Sequence, residues 1–294
     1  MVENETSSVL SRKSYIIDSS VGKFPVIEVS LTQPKADIPV VIAPGWSEPP
    51  DVFDSLQSVM AERGRRSFSF DHPRLGGKVE PRLGYSTPEL RKALALLDLV
   101  EHTGSDKVDI VAHSEGAVYA VIAASLKPEK FRNMILVGPG GMIGKDTLTA
   151  LLGRFTKKVA RNLLQGIKDP STTKTIIHAH IGAGKYIATN PVRALSEAVA
   201  ISKSNIGEML PQLRSRGVGI VIIHHAGDEA FPMQRIQQVA QPKQMDGILA
   251  VTGLHDDLYI HPEKYAAAAE EMLSVLERKQ SYHTTNSSEL NELA

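Results

Sequence analysis

Uninterrupted apolar runs alternate with stretches whose apolar positions recur every three or four residues, and this alternation organises the chain between residues 38 and 140. Ile38 to Ala43, Arg66 to Phe70, Val108 to Ala112 and Met134 to Val137 are short and apolar, the pattern of strands covered on both faces. Between them, Asp51 to Arg63 and Ser86 to His102 have helical spacing and stop at Gly64 and Gly104. Ser86-Thr87-Pro88-Glu89 reads as a helix start, with a capping box from Ser86 to Glu89 and proline in the first turn. Ahead of these, Ser14 to Asp18 and Phe24 to Leu31 are β-rich runs around Ser-Ser-Val-Gly, which predict an opening hairpin. Alternation of this kind predicts an α/β protein with a doubly wound, mostly parallel sheet.

The alternation breaks after about Gly141. Leu148 to Ile167, Thr172 to Ile181 and Pro191 to Ser202 carry helical patterns, with no strand among them. Strand patterns resume at Val218 to Ile223 and Gly247 to Val251, and a last helix runs from about His261-Pro262-Glu263 to Glu277. The expected organisation is a core of residues 14–140 and 208–280, interrupted by a helical insertion at 141–207. The polar ends, 1–13 and 281–294, are expected to be a disordered leader and tail.

Val108 to Tyr119 reads as a buried strand, a tight turn on Ser114 and a helix apolar almost all round. Small residues two positions either side, Ala112 and Gly116, let strand and helix approach. The turn projects the hydroxyl outward at the positive end of the following helix. This stretch resembles the nucleophile elbow of the α/β-hydrolase fold family, G-x-S-x-G, with Ala112 in place of the first glycine. The resemblance covers Ile38 to Val137 and Val218 to Glu277, and it implies that the insertion is a helical cap shaping a substrate pocket.

The same resemblance implies the remaining site residues. Asp228, in the loop after Val218–Ile223 and four residues before Pro232, matches the family's acid position, with Glu229 as the alternative. Gly253-Leu254-His255-Asp256, just before the terminal helix, matches its histidine loop. The chain order Ser114, Asp228, His255 is the order this fold uses. Backbone oxyanion donors are expected at Glu115, the residue after the serine, and at Trp46 in Pro44-Gly45-Trp46, with Ser47 second. Asp71 and Arg74 with Gly76 and Gly77 resemble a structural loop of the family near the pocket rim.

Composition narrows the chemistry further. The 294 residues contain no cysteine, which removes disulfides, thiol nucleophiles and thiolate metal sites. Thirty-three basic and thirty-three acidic side chains balance, so net charge gives no sign of a nucleic-acid or anionic-membrane partner. No run approaches the roughly 18 apolar residues of a membrane span, and no signal-peptide core opens the chain, so a cytoplasmic location is expected. Neither GxGxxG nor a P-loop appears, so no cofactor is implied. No metal site is expected either, because adjacent strand residues such as His224 and His225 point to opposite faces. The basic stretch Arg63, Arg65, Arg66, Arg74, Lys78 and Arg82 reads as a solvated face. The expectation is a serine hydrolase for a small, apolar acyl ester. A C–C hydrolase or lyase and an acyltransferase are alternatives on the same triad, and a non-catalytic ligand-binding protein is the alternative of another class.

Overall fold

The computed structural model describes residues 9–34, 36–72, 78–82, 84–144 and 146–292, with side chains to residue 280. Its frame is one eight-stranded sheet: β1 (Leu10–Ser19), β2 (Gly22–Leu31), β3 (Val40–Ala43), β4 (Ser67–Phe70), β5 (Val108–His113), β6 (Phe131–Val137), β7 (Gly219–His225) and β8 (Gly247–Val251). The spatial order is β1-β2-β4-β3-β5-β6-β7-β8. The β1–β2 hairpin joins β4 antiparallel, and every pair from β4 to β8 is parallel.

Helices cover both faces because the inner strands bury alternate residues to opposite sides. Val41, Ile110, Ala112, Leu136 and Ile222 pack with α2 (Thr87–His102) and α3 (Gly116–Leu126). Their neighbours Val40, Ile42, Val111, Ile135 and Ile223 pack on the other face with α1 (Asp54–Glu62) and α10 (Pro262–Glu292). Continuous apolar runs are what a two-sided core demands. Between β6 and β7 the chain forms α4 (Leu148–Lys168), α5 (Pro170–Thr189), α6 (Pro191–Lys203) and the short α7 (Leu210–Ser215). Two more short helices, α8 (Met233–Val239) and α9 (Asp257–Ile260), flank β8.

Four expectations change. β1 begins at Leu10, inside the stretch read as a leader, because ten residues of β1 pair along β2 whatever their polarity. At the other end α10 continues to Glu292, into the stretch read as a disordered tail; extending a formed helix costs far less than starting one. The capping box at Ser86 does not form: Ser86 makes no side-chain cap bond, and Glu89 turns inward to a buried charge cluster. Arg65 and Arg66 are not a solvated face, since Arg65 pairs with Glu270, Asp109 and Glu277 and Arg66 with Glu28. Arg74, Gly76 and Gly77 lie outside the described residues.

Candidate functional site

Ser114 sits where β5 turns into α3, at φ 55°, a left-handed conformation that non-glycine residues rarely adopt. The turn is pinned on both sides: Ser114 N–H donates to Val137 O at 3.0 Å, and Gly140 N–H donates to Ser114 O at 2.9 Å. Gly116 is required by close approach, because a Cβ there would stand 2.1 Å from Ala43 O. Ala112 needs no such room. It is fully buried in β5, registered between Ala43 and Leu136, so the elbow tolerates its methyl group.

The loops after β7 and β8 bring the two distant candidates to this serine. His255 Nε2 lies 2.9 Å from Ser114 Oγ, and His255 Nδ1 lies 2.7 Å from Asp228 Oδ2. Asp228 Oδ1 accepts the Phe231 N–H at 2.8 Å. Burial opposes ionisation of Asp228, yet His255 and His225 overcome it and hold the carboxyl well below its usual range. The carboxylate therefore accepts the Nδ1–H of His255, which leaves Nε2 free to accept from the serine hydroxyl. The alternative acid, Glu229, points away and pairs with Arg161.

His224 and His225 are adjacent at the end of β7, and the loop that follows brings Asp228 near both. At the end of β7 both rings approach Asp228 Oδ2, at 3.8 and 3.5 Å. His224 Nε2–H donates to Phe231 O at 2.8 Å. Burial pushes His224 down to about 4 and lowers His225 as well. Because the folded value lies below the unfolded one near 6.5, the neutral ring stabilises the fold fully above that pH. This contribution is lost as pH falls through about 4. Urea midpoints measured from pH 7 to 4 should show a loss of roughly 3 kcal/mol from this group, and His224→Gln, which keeps a donor for Phe231 O, should flatten it. An unchanged slope in the variant would refute the assignment.

The residue before the serine is also built in. His113 Nδ1 lies 2.8 Å from Glu48 Oε1, and its Nε2 lies 2.9 Å from the His255 carbonyl oxygen. Burial opposes a charge on the His113 ring, yet the neighbouring Glu48 raises its pKa nonetheless. Glu48 Oε2 in turn accepts the Gly45 N–H at 2.6 Å, fixing the loop that carries Trp46. Among the described residues, the N–H groups of Trp46 and Glu115 make no backbone hydrogen bond in turn or cap.

Three aromatic rings wall the serine and histidine. Phe231 lies 5.5 Å and Phe155 6.3 Å from the His255 ring, and Trp46 packs edge-on against Phe155 at 5.4 Å. Ser114 is 2 % exposed and His255 fully buried. Two larger cavities, of about 500 and 460 Å³, lie under α5 and α6, and neither is lined by Ser114 or His255.

An acidic residue directly follows each of the three: Glu115, Glu229 and Asp256. Each is held by a base. Lys158 Nζ of α4 lies 2.9 Å from Asp256 Oδ1, and Asn162 binds its other oxygen. Arg161, also of α4, pairs with Glu229. Lys92 of α2 lies 2.5 Å from Glu115 and 3.3 Å from Glu197 of α6, which Arg193 and Tyr186 also bind. Glu89 joins this group with its pKa raised far above normal by burial and by Glu115, so it is a neutral acid. The acids were visible in the sequence, but their partners lie 23 to 98 positions away and could be found only by folding the chain.

Ligand-type atoms converge in two sets, His225–Asp228–His255 and His113–His255–Asp256. A cation in either would have to displace the hydrogen bonds just described.

A profile of the family described as alpha/beta hydrolase fold matches residues 38–169. No curated protein matches the chain. Among solved structures, a bromoperoxidase from Bacillus anthracis superposes with TM-score 0.66 at 15% identity, covering 89% of this chain and 100% of its own. A thermophilic esterase from Thermogutta terrifontis gives 0.65 at 16%, covering 90% and 99%. The enol-lactonase from Burkholderia xenovorans gives 0.64 at 11%, covering 88% and 100%. Likeness at such identities speaks to fold, and it agrees with the strand order and the elbow: the chain has the α/β-hydrolase fold.

Proposed function

We propose that this chain is a serine hydrolase of ester-like carboxylic substrates. The hydrogen-bonded relay from Asp228 through His255 to Ser114, with the serine held on a strained elbow, carries the reading. In it, Ser114 Oγ attacks the substrate carbonyl as His255 Nε2 takes the hydroxyl proton. Asp228 orients the ring and stabilises the imidazolium. The N–H groups of Trp46 and Glu115 receive the oxyanion, each worth about 2.7–4 kcal/mol in such sites. His255 then returns the proton to the departing alcohol. Water, deprotonated by the same ring, releases the acid and frees the serine. His113 and Glu48 tie the oxyanion loop to the histidine loop.

The aromatic wall of Trp46, Phe155 and Phe231 supports an apolar acyl group, because it excludes the water that would solvate a polar one. A retained ligand-binding role without chemistry would have no use for a complete proton relay. The same relay serves a C–C hydrolase or an acyltransferase, which differ in the bond broken or the acceptor used.

The test treats folded protein with a fluorophosphonate probe beside p-nitrophenyl esters of increasing chain length. Covalent labelling of one residue and ester turnover with a chain-length optimum are expected. Folded protein that neither labels nor turns over would overturn the hydrolase reading.

A further inference from the structure

Beyond its first two turns, helix α4 is amphipathic in the reverse sense. Leu151 and Phe155 pack inward, and past them the side facing the core is polar: Lys158, Asn162 and Gln165 reach Asp256 and Asp257, as Arg154 reaches Ala230 O. The side it turns to solvent carries an apolar stripe: Leu152, Val159, Leu163 and Ile167 recur at seven- and four-residue steps, with Leu164 beside them. Ile167 is 76 % exposed. Soluble helices ordinarily bury the apolar stripe and expose the polar one.

The feature extends over the whole insertion. Ten of the sixteen exposed large apolar residues described lie between Leu148 and Lys203, on α4, α5 and α6. The same 148–203 stretch holds nine lysines and arginines against two acids, Asp169 and Glu197. It carries +7, so the rest of this neutral chain carries −7. Glu197 is buried with Lys92 and Arg193, whereas Lys157, Arg161, Lys168, Lys174 and Lys185 are exposed.

We infer that the cap docks, apolar face first, on an anionic lipid surface. Exposed leucine and isoleucine side chains flanked by exposed lysines match the two attractions that hold an interfacial helix: acyl-chain burial and the field of acidic headgroups. Charge argues against a second copy as the occupant. A two-fold contact through this face would set one strongly cationic cap against another. Docking stands independently of the acyl-serine reading. If that reading also holds, the substrate class narrows to acyl esters drawn from a bilayer or its surface, since the docked face belongs to the helix whose Phe155 lies beside His255.

The experiment is co-sedimentation of the full chain with equimolar phosphatidylserine–phosphatidylcholine vesicles and with phosphatidylcholine alone, beside its mass in solution by light scattering. Wild type is expected to sediment with the anionic vesicles, less so as salt rises. Leu163→Glu/Ile167→Glu is expected to lose at least tenfold in partitioning, and Lys157→Gln/Lys168→Gln about fivefold for each cation removed. All four positions are exposed, and thermal midpoints equal to wild type identify folded variants. Absence of wild-type binding to either vesicle would overturn the inference. So would binding that the lysine pair weakens and the Leu163–Ile167 pair leaves unchanged, which is mere adsorption of charge. A solution dimer that Leu163→Glu/Ile167→Glu dissociates would assign the face to self-association instead. Fluorophosphonate labelling is scored separately, so failure of docking and failure of the hydrolase reading give different results.

Discussion

Ser114→Ala is expected to reduce ester turnover by about 10⁶-fold and to abolish fluorophosphonate labelling, the loss typical when a nucleophile that acts as a unit with its base is removed. The variant should fold as wild type, because the hydroxyl bonds only His255 and the backbone contacts to Val137 and Gly140 remain. Alanine keeps a Cβ at φ 55°, so the strain of the elbow stays. Ser114→Gly should be equally inactive yet more stable by about 1 kcal/mol, since glycine adopts this conformation without steric penalty. Urea unfolding of the three proteins separates strain from chemistry. A substantial residual turnover in Ser114→Ala would remove the serine from the nucleophile's role. Equal stability of the glycine variant would show that the elbow holds no strain.

Lys92→Met should destabilise the protein by about 3–5 kcal/mol, the range for removing one partner of a buried ion pair. Lys92 is fully buried, and burial alone would lower its pKa; Glu115 and Glu197 reverse this and raise it. Taking the ammonium away strands Glu115, whose pKa burial already raises, beside the neutral Glu89. Glu197 keeps Arg193 and Tyr186. Glu115→Gln added to Lys92→Met should therefore recover part of the loss, since the stranded charge goes with it. Chemical denaturation with a two-state fit measures both. A single-variant effect below about 1 kcal/mol would mean that Lys92 is a dispensable ornament of the interior.

The frame of the molecule was legible because its signal is local. Continuous apolar strands, helical spacing and the small residues around Ser114 dictate a two-sided parallel sheet and an elbow without reference to distant parts of the chain. Asp228 and His255 were found by resemblance of their loops, and the fold brings both to Ser114. Less was readable where partners are remote. Nothing near Glu48 or His113 says that the two meet, nor that His113 reaches back to the carbonyl of His255. Nor does strand alternation show that the His224 and His225 rings both come within 4 Å of Asp228. In the insertion, Leu151 and Ile176 turn inward while Leu152, Leu163, Leu164 and Ile177 face outward. Periodicity identifies a helix and its stripe; it does not say which side faces in.

The acids that follow Ser114, Asp228 and His255 bear on how this chain could be re-engineered. Cap insertions are attractive units for exchange, since a foreign cap brings a foreign pocket. Here an exchanged insertion would carry away Lys158, Arg161 and Glu197, and the recipient core would be left with Glu229 and Asp256 unpaired beside Asp228 and His255 and Lys92 short of a carboxylate. A chimera made at the two cap boundaries should thus assemble poorly. Neutralising Glu229 and Asp256 in the same step is what would make the graft portable, because core and cap share one electrostatic specification.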